Sequence, residues 1–285
     1  METTSAAKRL STRFVAGETL DEALAVSRRL NAEGITVTLD HLGESVTSLE
    51  EAATARDVYV RTLSAIHDSG VRGNVSLKLT QFGLDFSCDQ CLANVEQLVR
   101  CADSLGSFVR VDMESSEYTD RTLDLVENLH SKYPRVGVVI QAYLFRSKTD
   151  VERLCAGRIR VRLCKGAYLE PHSVAFARKA DVDRNFIELM RLLLDRGEYP
   201  AIATHDPKMI EATKAYVNEK KISRDAFEFQ MLYGIRRDLQ RQLIAEGYRL
   251  RLYVPFGKAW YPYYMRRLAE RPANVLFIVR NLFRS

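Results

Sequence analysis

Short apolar runs rich in β-branched residues alternate along the chain with longer stretches whose apolar positions recur at helical spacing. The strand-like runs are 35–42, 75–82, 108–114, 136–143, 159–167, 201–206, 227–233 and 250–256, eight in all. Helix signals fill the gaps. Thr19 opens a capping pattern that runs on to Leu30 and stops before Gly34, and Ser48-Leu-Glu-Glu51 starts a long helix ending at Gly70. Thr119 reads as a start leading into 123–130, and Asp206-Pro207 places an N-cap before a proline at the first helical position. Segments 183–195 and 236–245 read as further helices. Most strand runs lack clean polar alternation, which predicts strands covered on both faces.

Eight strands alternating with helices over 285 residues predict an α/β fold, a distorted (β/α)8 TIM-like barrel forming one domain over 1–285. An open doubly wound sheet is the alternative. Seven polar residues favour the barrel: Asp40, Lys78, Asp112, Gln141, Lys165, His205 and Tyr253 all fall near the C-terminal ends of their runs. Each is costly to bury in an apolar run unless it joins a polar site. A barrel gathers eight strand ends around one mouth, whereas an open sheet scatters them.

Composition narrows the chemistry. Apolar residues make up 46% and charged residues 28%, which excludes disordered and fibrous classes. No apolar run reaches the roughly 18 residues of a membrane-spanning helix, and 1–20 lacks the apolar core of a secretory signal. A net charge of +5 permits anionic ligands or a membrane surface; without a dense basic block, nucleic acid is not expected. Five cysteines without a signal sequence read as reduced, and Cys88-x-x-Cys91 reads as two thiols on the first turn of a helix. No second such pair supplies a zinc site, so no metal is expected. Glycine-rich dinucleotide or phosphate loops, G-x-S-x-G and H-E-x-x-H are all missing. Lys78 or Lys165 as a Schiff-base lysine, as in barrel aldolases, stays open. Near the C-terminus, Arg266 and Arg267 stand among Trp260, Tyr261, Tyr263 and Tyr264. Two guanidinium forks suit a carboxylate. The other readings are a solvated helical pair beside core aromatics, and a non-catalytic barrel whose Arg266-Arg267 helix binds an acidic partner or nucleic-acid phosphates.

At this point the chain resembles the proline dehydrogenase family. The matching pieces are Val75-Ser-Leu-Lys-Leu79, Val111-Asp-Met-Glu114, Val139-Ile-Gln-Ala-Tyr143, Arg162-Leu-Cys-Lys-Gly-Ala-Tyr168, Ala203-Thr-His205, Phe227-Glu-Phe-Gln-Met-Leu232, Leu252-Tyr-Val-Pro-Phe-Gly257 and Tyr263-Tyr-Met-Arg-Arg-Leu-Ala-Glu270. They fall in the family's order from about Arg13 onward. Each is weak alone; together they are specific.

The resemblance implies a distorted barrel with its last helix over the mouth, non-covalent FAD, and oxidation of L-proline to Δ1-pyrroline-5-carboxylate by hydride transfer from carbon 5 to flavin N5. That reaction opens proline catabolism to glutamate. Arg266 and Arg267 would grip the substrate carboxylate, with Lys78 as a third cation. Leu232 and Tyr253 would pack on the ring. Arg162 would stand near N5, where a fixed charge steadies the electron-rich reduced flavin. Asp112 would orient and counterbalance these cations. For FAD the resemblance points to Met113, Gln141, Arg162, Lys165, Gly166, Ala167, Thr204, His205 and Glu270, while Asp40 and Glu44 match a loop that helps close the mouth. Tyr233 and Leu169 depart from the family's usual His and aromatic, which bears on the flavin's surroundings rather than on the reaction. By resemblance a quinone takes the electrons, which implies a cytoplasmic enzyme with peripheral contact at the inner face of the bacterial membrane; 277–283 is a weak candidate for that contact.

Overall fold

The computed structural model describes residues 13–43 and 46–259. Strands β1 (Thr36–His41), β2 (Gly73–Leu77), β3 (Val109–Val111), β4 (Val136–Gln141), β5 (Arg160–Cys164), β6 (Ala201–Ala203), β7 (Glu228–Leu232) and β8 (Leu250–Phe256) form a closed parallel barrel in sequence order. The seam is closed by β1 against β8, running from Thr36 opposite Arg251 to His41 opposite Phe256. Helix α1 (Leu20–Ala32) precedes β1 and packs on both β1 and β8. Helices α2 (Leu49–Asp68), α3 (Cys88–Ser104), α4 (Thr119–Lys132), α5 (Ser147–Ala156), α6 (Lys179–Arg196), α7 (Pro207–Lys220) and α8 (Arg237–Ala245) follow β1 to β7 in turn. The expected last helix over the mouth lies outside the described residues.

The helix starts follow local chemistry. Thr19 and Glu22 form a reciprocal capping box, and Ser48 accepts the Glu51 N–H at 3.2 Å. Asp206 accepts the Lys208 N–H at 3.0 Å, with Pro207 in the first turn. Thr119 differs from its expected capping role. A 3₁₀ turn, Ser116–Tyr118, runs straight into α4, so Thr119 is already helical (φ −58°, ψ −50°) rather than in the extended conformation a cap needs. Cys88 and Cys91 do sit on the first turn of α3, and all five cysteines are free thiols. Among the described residues no His/Cys/Asp/Glu cluster suits a metal ion, and no helix is long and apolar enough to cross a membrane.

As expected, the strands are covered on both faces, and the two faces differ in chemistry. Val37, Leu39, Val75, Leu77, Val109, Val111, Val138, Val161, Leu163, Phe229, Met231, Leu252 and Val254 point outward into the apolar layer beneath the helices, all buried. The intervening positions point into the lumen and are largely polar. The proof is bonding between strands that are not neighbours: Asp112, just after β3, is bonded to Arg162 of β5 and to Tyr253 of β8. Only the barrel interior connects those strands. Lumenal polarity is affordable because its buried carboxylates lie against arginines, Asp112 with Arg162 and Glu228 with Arg251.

Candidate active site at the barrel mouth

Two charged layers fill the lumen. The lower one joins Glu228 to Arg251 at 2.7 Å, with the Gln230 amide donating to the same carboxylate oxygen at 2.6 Å. Arg110 completes it, donating to the carbonyl oxygens of Val138 and Arg160 at 3.1 and 2.5 Å. Burial lowers the Arg110 pKa well below the usual arginine range. The Glu228 carboxyl is lowered on balance: burial pushes it up, and Arg251 with the Gln230 amide outweighs that.

The upper layer sits at the C-terminal ends of the strands, where (β/α)8 enzymes carry their chemistry. Asp112 is its hub. Its Oδ1 accepts Arg162 Nη1 at 2.8 Å and the Ser76 hydroxyl; its Oδ2 accepts the Tyr253 hydroxyl at 2.8 Å. The Arg162 guanidinium also lies 5.4 Å from the Tyr253 ring centre, a cation–π distance. Burial raises the Asp112 carboxyl, but Arg162, Lys78 and the two hydroxyl donors together hold it below the usual range. Asp40 goes the other way. It is 1% exposed, and desolvation raises its pKa despite the Lys78 charge, with Asp112 adding to the rise. Tyr59, from α2, donates to Asp40 Oδ1 at 3.1 Å. Two lumenal carboxyls are thus driven apart by their surroundings, the usual arrangement where one must stay ionised.

The remaining residues line the rim. Gln141, 3% exposed, donates from its side-chain amide to the Glu114 carbonyl at 2.9 Å. His205 Nε2 accepts the Leu232 N–H at 2.8 Å, which brings those two sequence-predicted residues together and places a neutral ring's proton on Nδ1. Thr204, buried, accepts the Asp206 N–H at 3.1 Å. Lys165 turns away from the lumen: its ammonium lies between Asp183 at 2.5 Å and Asp206 at 2.6 Å, tying β5 to α6 and α7. Met113 packs in the apolar layer rather than the lumen. Gly166 has φ +109°, and a Cβ there would stand 2.1 Å from the Tyr143 ring, so packing and backbone both demand glycine. Ala167 is half-buried beside it, Tyr233 is half-buried, and Leu169 is 88% exposed. Arg266, Arg267, Glu270 and Glu44 lie outside the described residues.

Sequence reasoning missed Ser76, Tyr59 and Arg110. The first and third were findable, because Ser76 shares strand parity with Lys78, and Arg110 with Asp112. Tyr59 had no such signal; it reaches the lumen from a helix.

The closed barrel, with a cation-rich polar cluster at its strand ends, has the architecture of a (β/α)8-barrel enzyme. A family model described as proline dehydrogenase matches residues 23–280. The chain is 42% identical over 270 residues to proline dehydrogenase 2 of Bacillus subtilis, covering 95% of this chain and 89% of that relative. It is 41% identical over 281 residues to proline dehydrogenase of Deinococcus radiodurans, covering 97% and 91%. Among solved structures, proline utilization A of Bdellovibrio bacteriovorus, inactivated by N-propargylglycine, superposes with a TM-score of 0.87 at 28% identity, covering 92% of this chain and 32% of that one. The chain therefore spans about a third of that larger protein. The chain belongs to the proline dehydrogenase family, and its activity is the oxidation of proline in proline catabolism.

Proposed function

We propose that this single barrel domain converts L-proline to Δ1-pyrroline-5-carboxylate with non-covalent FAD and hands the electrons to a quinone, with peripheral contact at the membrane face. The residues at the mouth fit a flavin. Among the described residues Arg162 Nε is buried without a partner, the Gln141 side-chain amide is buried at the end of β4, and His205 stands on the neighbouring rim, so β4, β5 and β6 offer adjacent polar groups. Arg162, Gln141, Thr204, His205 and the backbone at Gly166 and Ala167 would hold the cofactor, joined by Glu270. When bound, FAD supplies the acceptor for the hydride that leaves carbon 5 of proline.

The chain's own residues bind and orient. Arg266, Arg267 and Lys78 take the substrate carboxylate, and three cations there disfavour a protonated substrate amine, which must be neutral to be oxidised. Tyr253 and Leu232 hold the ring. Asp112 fixes Tyr253 and Arg162 from beneath, and its ionised state balances the cations. The observation that carries the reading is this pinning of a buried guanidinium and a tyrosine to one ionised carboxylate at the strand ends. The aldolase alternative is opposed for Lys165, whose nitrogen is tied between two carboxylates rather than presented to the lumen.

An anaerobic absorbance spectrum tests the proposal. Purified protein is expected to be yellow and to bleach on adding L-proline. A colourless protein, or an adduct on Lys78 or Lys165 trapped by borohydride, overturns it.

A further inference from the structure

We propose that Ser76 is a positioning residue for proline oxidation, acting through Asp112 to fix where Arg162 and Tyr253 stand at the mouth. The inference rests on the reading above. Ser76 is fully buried, lies on β2 two residues before Lys78, and pairs in register with Arg110 of β3. It is too deep to touch a substrate. Its hydroxyl donates to Asp112 Oδ1, the same oxygen that receives Arg162 Nη1 at 2.8 Å. Ser76 Oγ also lies 3.4 Å from Arg162 Nη1 and 3.2 Å from the Arg110 carbonyl oxygen.

The geometry leaves Asp112 nowhere to turn. Donors from β2, β5 and β8 occupy both carboxylate oxygens. An aspartate χ2 is otherwise a soft torsion with a broad well. Without the Ser76 hydroxyl, Oδ1 keeps only the arginine, and the carboxylate can swing. Arg162 and Tyr253 follow it, because each is bonded to it. Small misplacements at a reacting centre are expensive, since orientation supplies much of the rate in such a site. Ser76 also contributes to the charge state. The groups facing Asp112 are Lys78 from β2, Arg162 from β5, Tyr253 from β8, Asp40 from β1 and Tyr59 from α2. The Ser76 hydrogen bond is among the influences lowering the Asp112 carboxyl, so its loss moves that carboxyl upward.

The test is a double-mutant cycle on the holoenzyme, using Ser76→Ala, Asp112→Ala and the double variant. Two quantities are measured: anaerobic flavin bleaching by L-proline, and binding of a five-membered ring carboxylate with oxygen in place of the amine, followed by the flavin spectrum. Ser76→Ala is expected to lower the bleaching efficiency by about 10- to 100-fold in the native background and by less than about 2-fold once Asp112 is gone. Binding of the ring carboxylate is expected to show the same non-additivity. The loss is expected to fall mainly on the limiting bleaching rate, with a smaller change in the proline concentration at half-maximal rate. Equal losses in both backgrounds, or a loss confined to the proline concentration at half-maximal rate, overturn the proposal. If the alanine variant fails to fold, Ser76→Cys keeps the side chain's shape with a much weaker donor and carries the same test. A wild-type protein that proline does not bleach defeats the underlying reading instead, so the two failures are told apart.

Discussion

Replacing Asp112 by Asn separates charge from shape at the hub of the site. The amide is nearly isosteric, so packing is preserved. Its oxygen can still accept from Arg162, and its NH2 can donate to the Tyr253 oxygen, because a hydroxyl can reverse its role. What disappears is the negative charge beside a guanidinium whose side chain is 7% exposed. Removing one partner of a buried pair costs about 3–5 kcal/mol. A neutral hydrogen bond, roughly half as strong as a charge-assisted one, survives. Asp40 gives further relief, because the Asp112 charge is among the causes holding its carboxyl up. The expected loss is therefore about 2–3 kcal/mol of folding stability at pH 7.5. Urea unfolding of both proteins measures it. The pH dependence fixes the cause. The folded Asp112 pKa lies below its ordinary value of 3.8, so its stabilisation is present above that value and is lost as pH falls through the lower, folded one. The gap between wild type and variant must then narrow in acid. A gap below about 0.5 kcal/mol at pH 7.5, the size of an exposed pair, refutes the reasoning; so does a gap that persists unchanged in acid.

Other outcomes follow from the same geometry. Gly166→Ala forces a side chain into the Tyr143 ring at a positive φ and is expected to cost about 2–4 kcal/mol, with weaker flavin retention; an unchanged melting curve would refute it. Burial pushes the Cys91 thiol up to about 12 while Cys88 is exposed, so a thiol reagent at pH 8 should modify Cys88 first and Cys91 only after unfolding, as read by peptide mass. Arg266→Met or Arg267→Met should each cost about 2–4 kcal/mol in kcat/KM for proline; unchanged kinetics would remove them from the carboxylate site. Tyr253→Phe deletes the donor on Asp112 Oδ2 and should change the preference between proline and hydroxyproline while flavin stays bound; loss of flavin would mean the residue serves the cofactor instead.

The barrel was legible because eight short apolar runs alternate with helical segments, and because capping residues such as Ser48 and Asp206 mark where helices begin. The lumen was harder to read. A run such as Val75-Ser-Leu-Lys-Leu79 looks apolar with exceptions, yet the exceptions are the inner face: Ser76 and Lys78 here, Arg110 and Asp112 on the next strand, Arg160 and Arg162 on β5, Arg251 and Tyr253 on β8. Parity alone would have found Ser76, which a serine's modest polarity hid. It would also have separated Asp112 from Met113, which packs outward. Parity would not have shown that Lys165 swings out to Asp183 and Asp206, because the chain has already left the strand there. Nor does residue type distinguish the two layers, since each mixes arginine with carboxylate. The lower one, Arg110 with Glu228 and Arg251, is enclosed at the N-terminal end and serves as a plug. The upper one, Arg162 with Asp112 and Lys78, has the same chemistry two residues, about 7 Å, further along the strands, where the loops begin and a ligand can enter. Position along the strand therefore encloses one ion network in the barrel and sets the other at the mouth, where the proposed chemistry needs it.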